Sequence, residues 1–140
     1  MRSRPAIVLA VVAVLVVALA VVAAVVSSSR DQPKPDATTP EGVVQLYVSA
    51  LFNDDDSAAA KFLDPASKCA DALDDAYVFD TARVAVVETS TDGDTATVGL
   101  QIEEGSGLDG GWSHREDFTL RRDSDTWVIT GEPWPLFECG

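Results

Sequence analysis

The chain has 140 residues, with 10 basic and 23 acidic side chains and a net charge of −13. This length allows one ordinary domain. Residues 31–140 contain 7 of the basic and all 23 of the acidic side chains, a balance of −16. Because such a surface repels phosphate groups, the composition argues against a nucleic-acid partner.

Residues 6–26 form an unbroken apolar run, AIVLAVVAVLVVALAVVAAVV, without charge, glycine or proline. A helix of this length is about 31 Å long, which matches the hydrocarbon thickness of a bilayer. A core helix of a small domain would show a polar face, which this run lacks. A cleaved signal peptide is the stronger alternative, but its apolar region is usually only about 7 to 15 residues long. We therefore predict an uncleaved transmembrane helix.

The basic residues near this run predict its orientation. Arg2 and Arg4 precede it, whereas the residues that follow it mix basic and acidic side chains. Since basic residues favour the cytoplasmic side, we expect residues 1–5 in the cytoplasm and the bulk of the chain outside the cell membrane. Residues 27–39 are polar and contain proline, which is typical of an extended stalk. A domain over residues 40–140 then follows.

The two cysteines, Cys69 and Cys139, lie in the outward part of the chain. Oxidising conditions allow disulfides to persist there, so we predict a bond between them in preference to two buried thiols. The tail GEPWPLFECG is apolar, although chain ends usually fray. We expect Trp134, Leu136 and Phe137 to pack on the helical layer, where the disulfide holds them.

Three helix signals open the domain. In TTPEGVVQLYVSALF, Thr39 suits the N-cap, Pro40 the first turn, and apolar residues recur at three- and four-residue spacing. In NDDDSAAAKFLD, Asp55 or its neighbours can cap a second, short helix that extends through Phe62 and Leu63. In DPASKCADALDDA, the start signal of an aspartate before a proline recurs and predicts a third helix, which carries Cys69.

From Tyr77 onward the pattern becomes that of strands. TARVAVVETST is rich in β-branched residues, and apolar side chains alternate with polar ones in the segment after it, as in a half-buried strand. The sequence TDGD suits a hairpin turn, and DSD suits another between WSHREDFTLRR and TWVITGE. Helices followed by about four antiparallel strands predict an α+β domain in which helices cover one face of a sheet.

The segments TPEGVVQLYVSALF and AAAKFLDP, a meandering sheet and TWVI in its last strand resemble the cone-shaped fold of nuclear transport factor two. The resemblance covers residues 39–140 and is closest to membrane-anchored or secreted actinobacterial members of that superfamily. It implies two or three helices packed on a curved sheet. Enzymes of the superfamily often place an acid–base residue in the mouth of the cone.

His114 is the only histidine of the chain. By alternation it shares a strand face with Glu116 and Phe118, so the resemblance places His114 and Glu116 in the mouth of the cone. Trp112 could line the same pocket, whereas Trp127 alternates with Ile129 as a core residue would. These candidate pocket residues suit a small apolar ligand or an envelope protein partner. An alternative is an isomerase- or hydratase-like enzyme that uses His114 with Glu116.

No other motif indicates catalysis, a metal or a cofactor. The acidic segments lack the spacing of a calcium loop, and a zinc site would need more histidine or cysteine than a disulfide leaves. A GxSxG nucleophile elbow is absent, and GSGLDGG lacks the lysine of a phosphate-binding loop. The sequence therefore predicts a non-enzymatic, membrane-anchored binding domain without a cofactor. It indicates no particular oligomeric state.

Overall fold

Two helices precede a four-stranded antiparallel sheet, which confirms the predicted α+β class. The computed structural model describes residues 34–78, 80–105 and 111–139. The predicted transmembrane helix at residues 6–26 lies outside these residues, and within them no helix is long and apolar enough to cross a membrane. The elements are α1 (Pro40–Phe52), α2 (Asp56–Ala60), β1 (Arg83–Asp92), β2 (Thr95–Glu104), β3 (Trp112–Asp123) and β4 (Thr126–Thr130).

Side-chain caps begin both helices, as the sequence predicts. The Thr39 side chain accepts a hydrogen bond from the backbone N–H of Gly42, and Pro40 occupies the first turn of α1. The Asp55 carboxylate accepts one from the N–H of Ala58 at the start of α2. These bonds satisfy backbone donors that a helix start leaves without intrahelical partners.

The predicted third helix does not form, and α2 ends at Ala60 instead of reaching Leu63. Between Asp64 and Ala76, backbone N–H groups donate to carbonyls three residues earlier, which makes successive turns instead of an α-helix. The Ser67 hydroxyl also donates to the Asp64 carbonyl, a local bond that competes with helix formation. Cys69 therefore lies in a turn, before a short 3₁₀ segment at Leu73–Asp75.

The sheet is a meander in the order β1-β2-β3-β4. Two-residue connections join β1 to β2 and β3 to β4, as TDGD and DSD predict. Gly93 and Ser124 have positive φ values of 58° and 57° there, which such tight hairpins commonly require. A bulge between Val86 and Glu88 shifts the register of β1 against β2.

One face of the sheet is buried against the helical layer, and we call it the packed face. The predicted alternation is confirmed on β2, where every second residue from Ala96 to Ile102 is buried, and Trp127 is buried as predicted. The ring of Tyr47 on α1 meets Phe118 on β3 edge-on, with ring centroids 6.1 Å apart. The remaining core side chains on the packed face are Leu120 and Ile129, and those on α1 include Val43, Val44 and Leu51.

The segment after α2 covers the outer edge of β4. Leu63 forms a parallel bridge with Ile129, whose N–H donates to the Phe62 carbonyl. Arg121 reaches across from β3 to the Asp64 carboxylate at 3.2 Å. Because exposed strand edges invite pairing with other chains, this segment protects one side of the sheet.

The C-terminal tail is fixed to the domain. Trp134 and Leu136 are buried in the core, and the predicted disulfide between Cys69 and Cys139 is present. The prediction for Phe137 is wrong: 72% of this residue is exposed. The buried stretch of the tail ends at Leu136, and the chain returns to the surface at Phe137 and Glu138, which are both exposed.

Loss of the disulfide should strongly destabilise the domain. It joins positions 70 residues apart, and closing such a loop reduces the entropy of the unfolded chain, an effect of about 4 kcal/mol. We expect Cys69→Ala with Cys139→Ala to lower the free energy of unfolding by about that amount. A urea titration of the full chain in detergent micelles, followed by tryptophan fluorescence, measures it. An unchanged midpoint would contradict this expectation.

The Tyr47 hydroxyl is buried without a hydrogen-bond partner among the described residues. Burial, and to a lesser extent the Asp56 carboxylate, raises the pKa of this phenol above its ordinary value. Since the folded state disfavours the ionised phenol, the contribution of Tyr47 to stability is complete below the unfolded pKa of about 10 and is lost as the pH rises further.

Tyr47→Phe should therefore make the domain less sensitive to alkali. At pH 7 we expect its free energy of unfolding to match or exceed that of the unaltered chain by up to about 1 kcal/mol, because no hydrogen bond is lost. Above pH 10 the advantage should grow. Urea titrations at pH 7 and pH 10.5 test this expectation, and a loss of more than about 1 kcal/mol at pH 7 would show that the hydroxyl has a partner.

Candidate functional site

The packed face changes from apolar to polar along β3. Phe118 and Leu120 are buried in the core, whereas Glu116, His114 and Trp112 continue the same face toward the start of the strand. On β2 the residues directly opposite these three are Leu100, Ile102 and Glu104, respectively. We call Glu104, Trp112, His114 and Glu116 the open end of the packed face. It contains all three predicted pocket residues.

Trp112 and His114 stack on each other. Their ring centroids lie 4.7 Å apart and their planes differ by 21°. Trp112 is 61% exposed, whereas only 20% of the His114 side chain is exposed. The indole therefore shields the imidazole and keeps a large aromatic surface accessible to solvent.

His114 also contacts Glu116, two residues along the strand. Its Nε2 lies 3.5 Å from Oε1 of Glu116, a contact that is an ion pair only when the imidazole is protonated. Its other ring nitrogen, Nδ1, is buried and has no hydrogen-bond partner among the described residues. Because buried polar atoms are nearly always paired, a group that binds here could satisfy this nitrogen.

Glu104 is the site residue that the sequence reasoning missed. It is only 7% exposed, and its carboxylate has neither a hydrogen bond nor an ion pair within the described part of the chain. The sequence did contain a signal for Glu104. Every second residue from Ala96 to Ile102 is apolar, and continuing this alternation by one step places Glu104 on the same, buried face of β2. A largely buried glutamate whose carboxylate has no described partner therefore lies opposite an exposed tryptophan.

An open cleft adjoins Glu104 and Trp112 at this end of the sheet. It has a volume of about 820 Å³, which is within the range of about 300 to 1,000 Å³ usual for small-molecule sites. Three acidic side chains and one basic side chain line it. The charged lining residues are Asp80, Glu103, Glu104 and Arg83, and the others include Trp112 and Ser113.

On the opposite face of the sheet, one arginine pairs with two carboxylates. Arg115 lies 2.7 Å from the Glu88 carboxylate and 2.9 Å from that of Asp117. Hydrogen bonds to these two carboxylates raise the pKa of the Arg115 guanidinium above its ordinary value. Gly99 leaves room for the arrangement, because a Cβ at that position would collide with the guanidinium.

The donor groups at the open end do not form a metal site. In the segments that the structure describes, no group of three or more histidine, cysteine, aspartate or glutamate side chains is placed to hold a metal ion. Glu104, Glu116 and His114 are spread along two strands instead of converging on one point. The groups present at this end offer hydrogen bonds, negative charge and aromatic contact.

Comparison with known proteins identifies a similar fold but no family. No family model and no curated protein matches the sequence. The solution structure of a SEC-C motif containing protein from Rhodopseudomonas palustris is similar, with a TM-score of 0.50 and 20% sequence identity. The match covers 69% of this chain and 78% of that chain. At this identity the similarity concerns the fold alone.

This finding corrects the expected resemblance to nuclear transport factor two. The similar solved structure is a SEC-C motif protein, and the cone-like interpretation of residues 39–140 is wrong. The resemblance depended on the order of elements and on one strand with a tryptophan, not on side chains with defined chemistry.

Proposed function

We propose that this chain is a single-pass membrane protein whose extracytoplasmic domain binds a small ligand or an envelope protein partner without catalysing a reaction. Residues 1–5 lie in the cytoplasm, residues 6–26 span the membrane and residues 27–39 connect the span to the domain. The binding surface is the open end of the packed face. Trp112 and His114 form its centre.

Two observations support the membrane location and the orientation. The apolar run of residues 6–26 has the length that a bilayer requires, with Arg2 and Arg4 before it. The disulfide between Cys69 and Cys139 supports an oxidising compartment, since disulfides are rare in the cytosol. Both observations agree with a domain on the outer side of the membrane.

The stacked pair of Trp112 and His114 carries the proposal of a binding function. Trp112 is 61% exposed, so most of its surface still faces water and its present position contributes little hydrophobic free energy to folding. The ring lies over a histidine whose Nδ1 is buried without a partner. An apolar surface beside a few polar groups that lack partners is typical of ligand sites.

The second candidate function, an isomerase- or hydratase-like reaction, depends on the 3.5 Å contact between His114 and Glu116. A histidine beside a carboxylate can exchange protons with a bound substrate. The resemblance that suggested this chemistry is wrong, so only the contact favours it. The enzyme hypothesis predicts chemical turnover that His114→Ala abolishes, whereas a binding domain returns its ligand unchanged.

Site-specific photo-crosslinking tests the binding surface. A benzophenone side chain in place of Ser113, which lines the cleft, should form an adduct when the full chain is irradiated in native membranes. The same side chain in place of Thr97 is the matched control, because Thr97 is exposed on the same face of the sheet as Ser113 but does not line the cleft. Mass spectrometry of the purified chain then identifies a small-molecule or a protein adduct.

Adducts at position 113 that are absent at position 97 would support the proposal. Equal labelling at both positions, or no adduct at position 113, would contradict it. The intact mass of the same chain also tests the membrane anchor, since cleavage of a leader would remove the apolar run. Retention of residues 1–33 in the membrane-extracted chain is the expected result.

A further inference from the structure

We infer that the ligand of the open end is a small organic ammonium ion, that is, a positively charged amine with a short alkyl chain. The inference rests on the proposed binding function and specifies its ligand class. Three features of the described residues carry it: the largely buried Glu104, the exposed indole of Trp112 and the acidic lining of the cleft.

The carboxylate of Glu104 is the reason to expect a positively charged ligand. Moving a carboxylate out of water is costly unless a cation or hydrogen-bond donors replace the lost water. The residue Glu104 is 7% exposed as a whole, it lines the cleft, and no described side chain pairs with its carboxylate. An ammonium N–H can donate a charge-assisted hydrogen bond to this oxygen, a stronger bond than one between neutral groups.

The indole of Trp112 is the reason to expect that this cation is organic. One face of its indole stacks on His114, and the residue remains 61% exposed. Tryptophan is the best side chain for contact with a cation, because its ring face is electronegative, and it also covers an alkyl chain. Trp112 lies directly across from Glu104 in the sheet register, so one small ligand can contact both.

The cleft and the domain favour cations electrostatically. The cleft lining contains three acidic side chains and one arginine, a balance of −2. Residues 31–140 as a whole carry a balance of −16, which raises the local concentration of cations. An inorganic metal ion would need several converging oxygen ligands, and no such cluster occurs among the described residues. A monovalent ammonium ion needs only one carboxylate.

The test compares n-butylammonium with 1-butanol, which has a similar size and no charge. Each is titrated into the full chain in detergent micelles at pH 7.5 and low salt, and tryptophan fluorescence reports binding. Trp127 and Trp134 are buried, so a change should come from Trp112, and it should disappear in Trp112→Phe. We expect butylammonium to bind about tenfold more tightly than butanol, because it can form one charge-assisted hydrogen bond that butanol cannot form.

Two variants that replace a carboxylate test whether the preference for butylammonium comes from Glu104. Glu104→Gln should weaken butylammonium binding about tenfold and leave butanol unchanged. Glu132→Gln is the matched control: Glu132 is exposed after β4 and is not among the residues that line the cleft, so its replacement should change the affinity less than about twofold. Far-ultraviolet circular dichroism checks that both variants retain the fold.

Equal binding of butanol and butylammonium would overturn the inference of a cation and leave the binding function in place. Equal effects of Glu104→Gln and Glu132→Gln would also overturn it, because the effect would then come from overall charge. If neither probe changes the fluorescence of Trp112, the ammonium inference fails as well. The crosslinks at position 113 then decide independently whether the open end binds anything.

Discussion

The structure depends on one geometric constraint: a single helix of 13 residues must cover one face of a sheet whose longest strand has 12. That helix is about 20 Å long, whereas such a strand extends about 40 Å. Tyr47 of α1 meets Phe118, near the middle of β3, and the apolar residues of β3 continue from there to Leu120. In the other direction the packed face continues with polar side chains, and this is where the open end begins.

The covered part of the packed face is closed on several sides. Leu63 pairs with the outer edge of β4, Trp134 and Leu136 add to the core, and the disulfide from Cys69 to Cys139 fixes the tail. A domain of this size buries a modest core, so a covalent link makes a large contribution to its stability.

Local chemistry made much of this fold predictable. The caps at Thr39 and Asp55 and the two tight hairpins depend on a few neighbouring residues, and the alternation on β2 reflects burial of one face. The third helix failed because turn-forming bonds after Asp64 replaced helical ones. The place of Phe137 and the lack of a partner for Glu104 depend on distant chain segments, which periodicity does not encode. The open end was predicted in part. Alternation along β3 placed Trp112, His114 and Glu116 on one face, and the same alternation along β2, continued to the end of the strand, would have added Glu104.

The central claim is that the carboxylate of Glu104, a residue that is only 7% exposed, has no partner among the described residues and lowers the stability of the domain without a ligand. The free energy of unfolding of Glu104→Gln, compared with that of Glu132→Gln, tests it without knowledge of the ligand. Urea titration of the full chains suffices, since Trp112, Trp127 and Trp134 all lie in the described domain. We predict that Glu104→Gln is more stable than the unaltered chain by about 1 kcal/mol, and that Glu132→Gln is unchanged. A Glu104→Gln variant that is less stable than the unaltered chain would show that the carboxylate already has a partner, and would contradict the account.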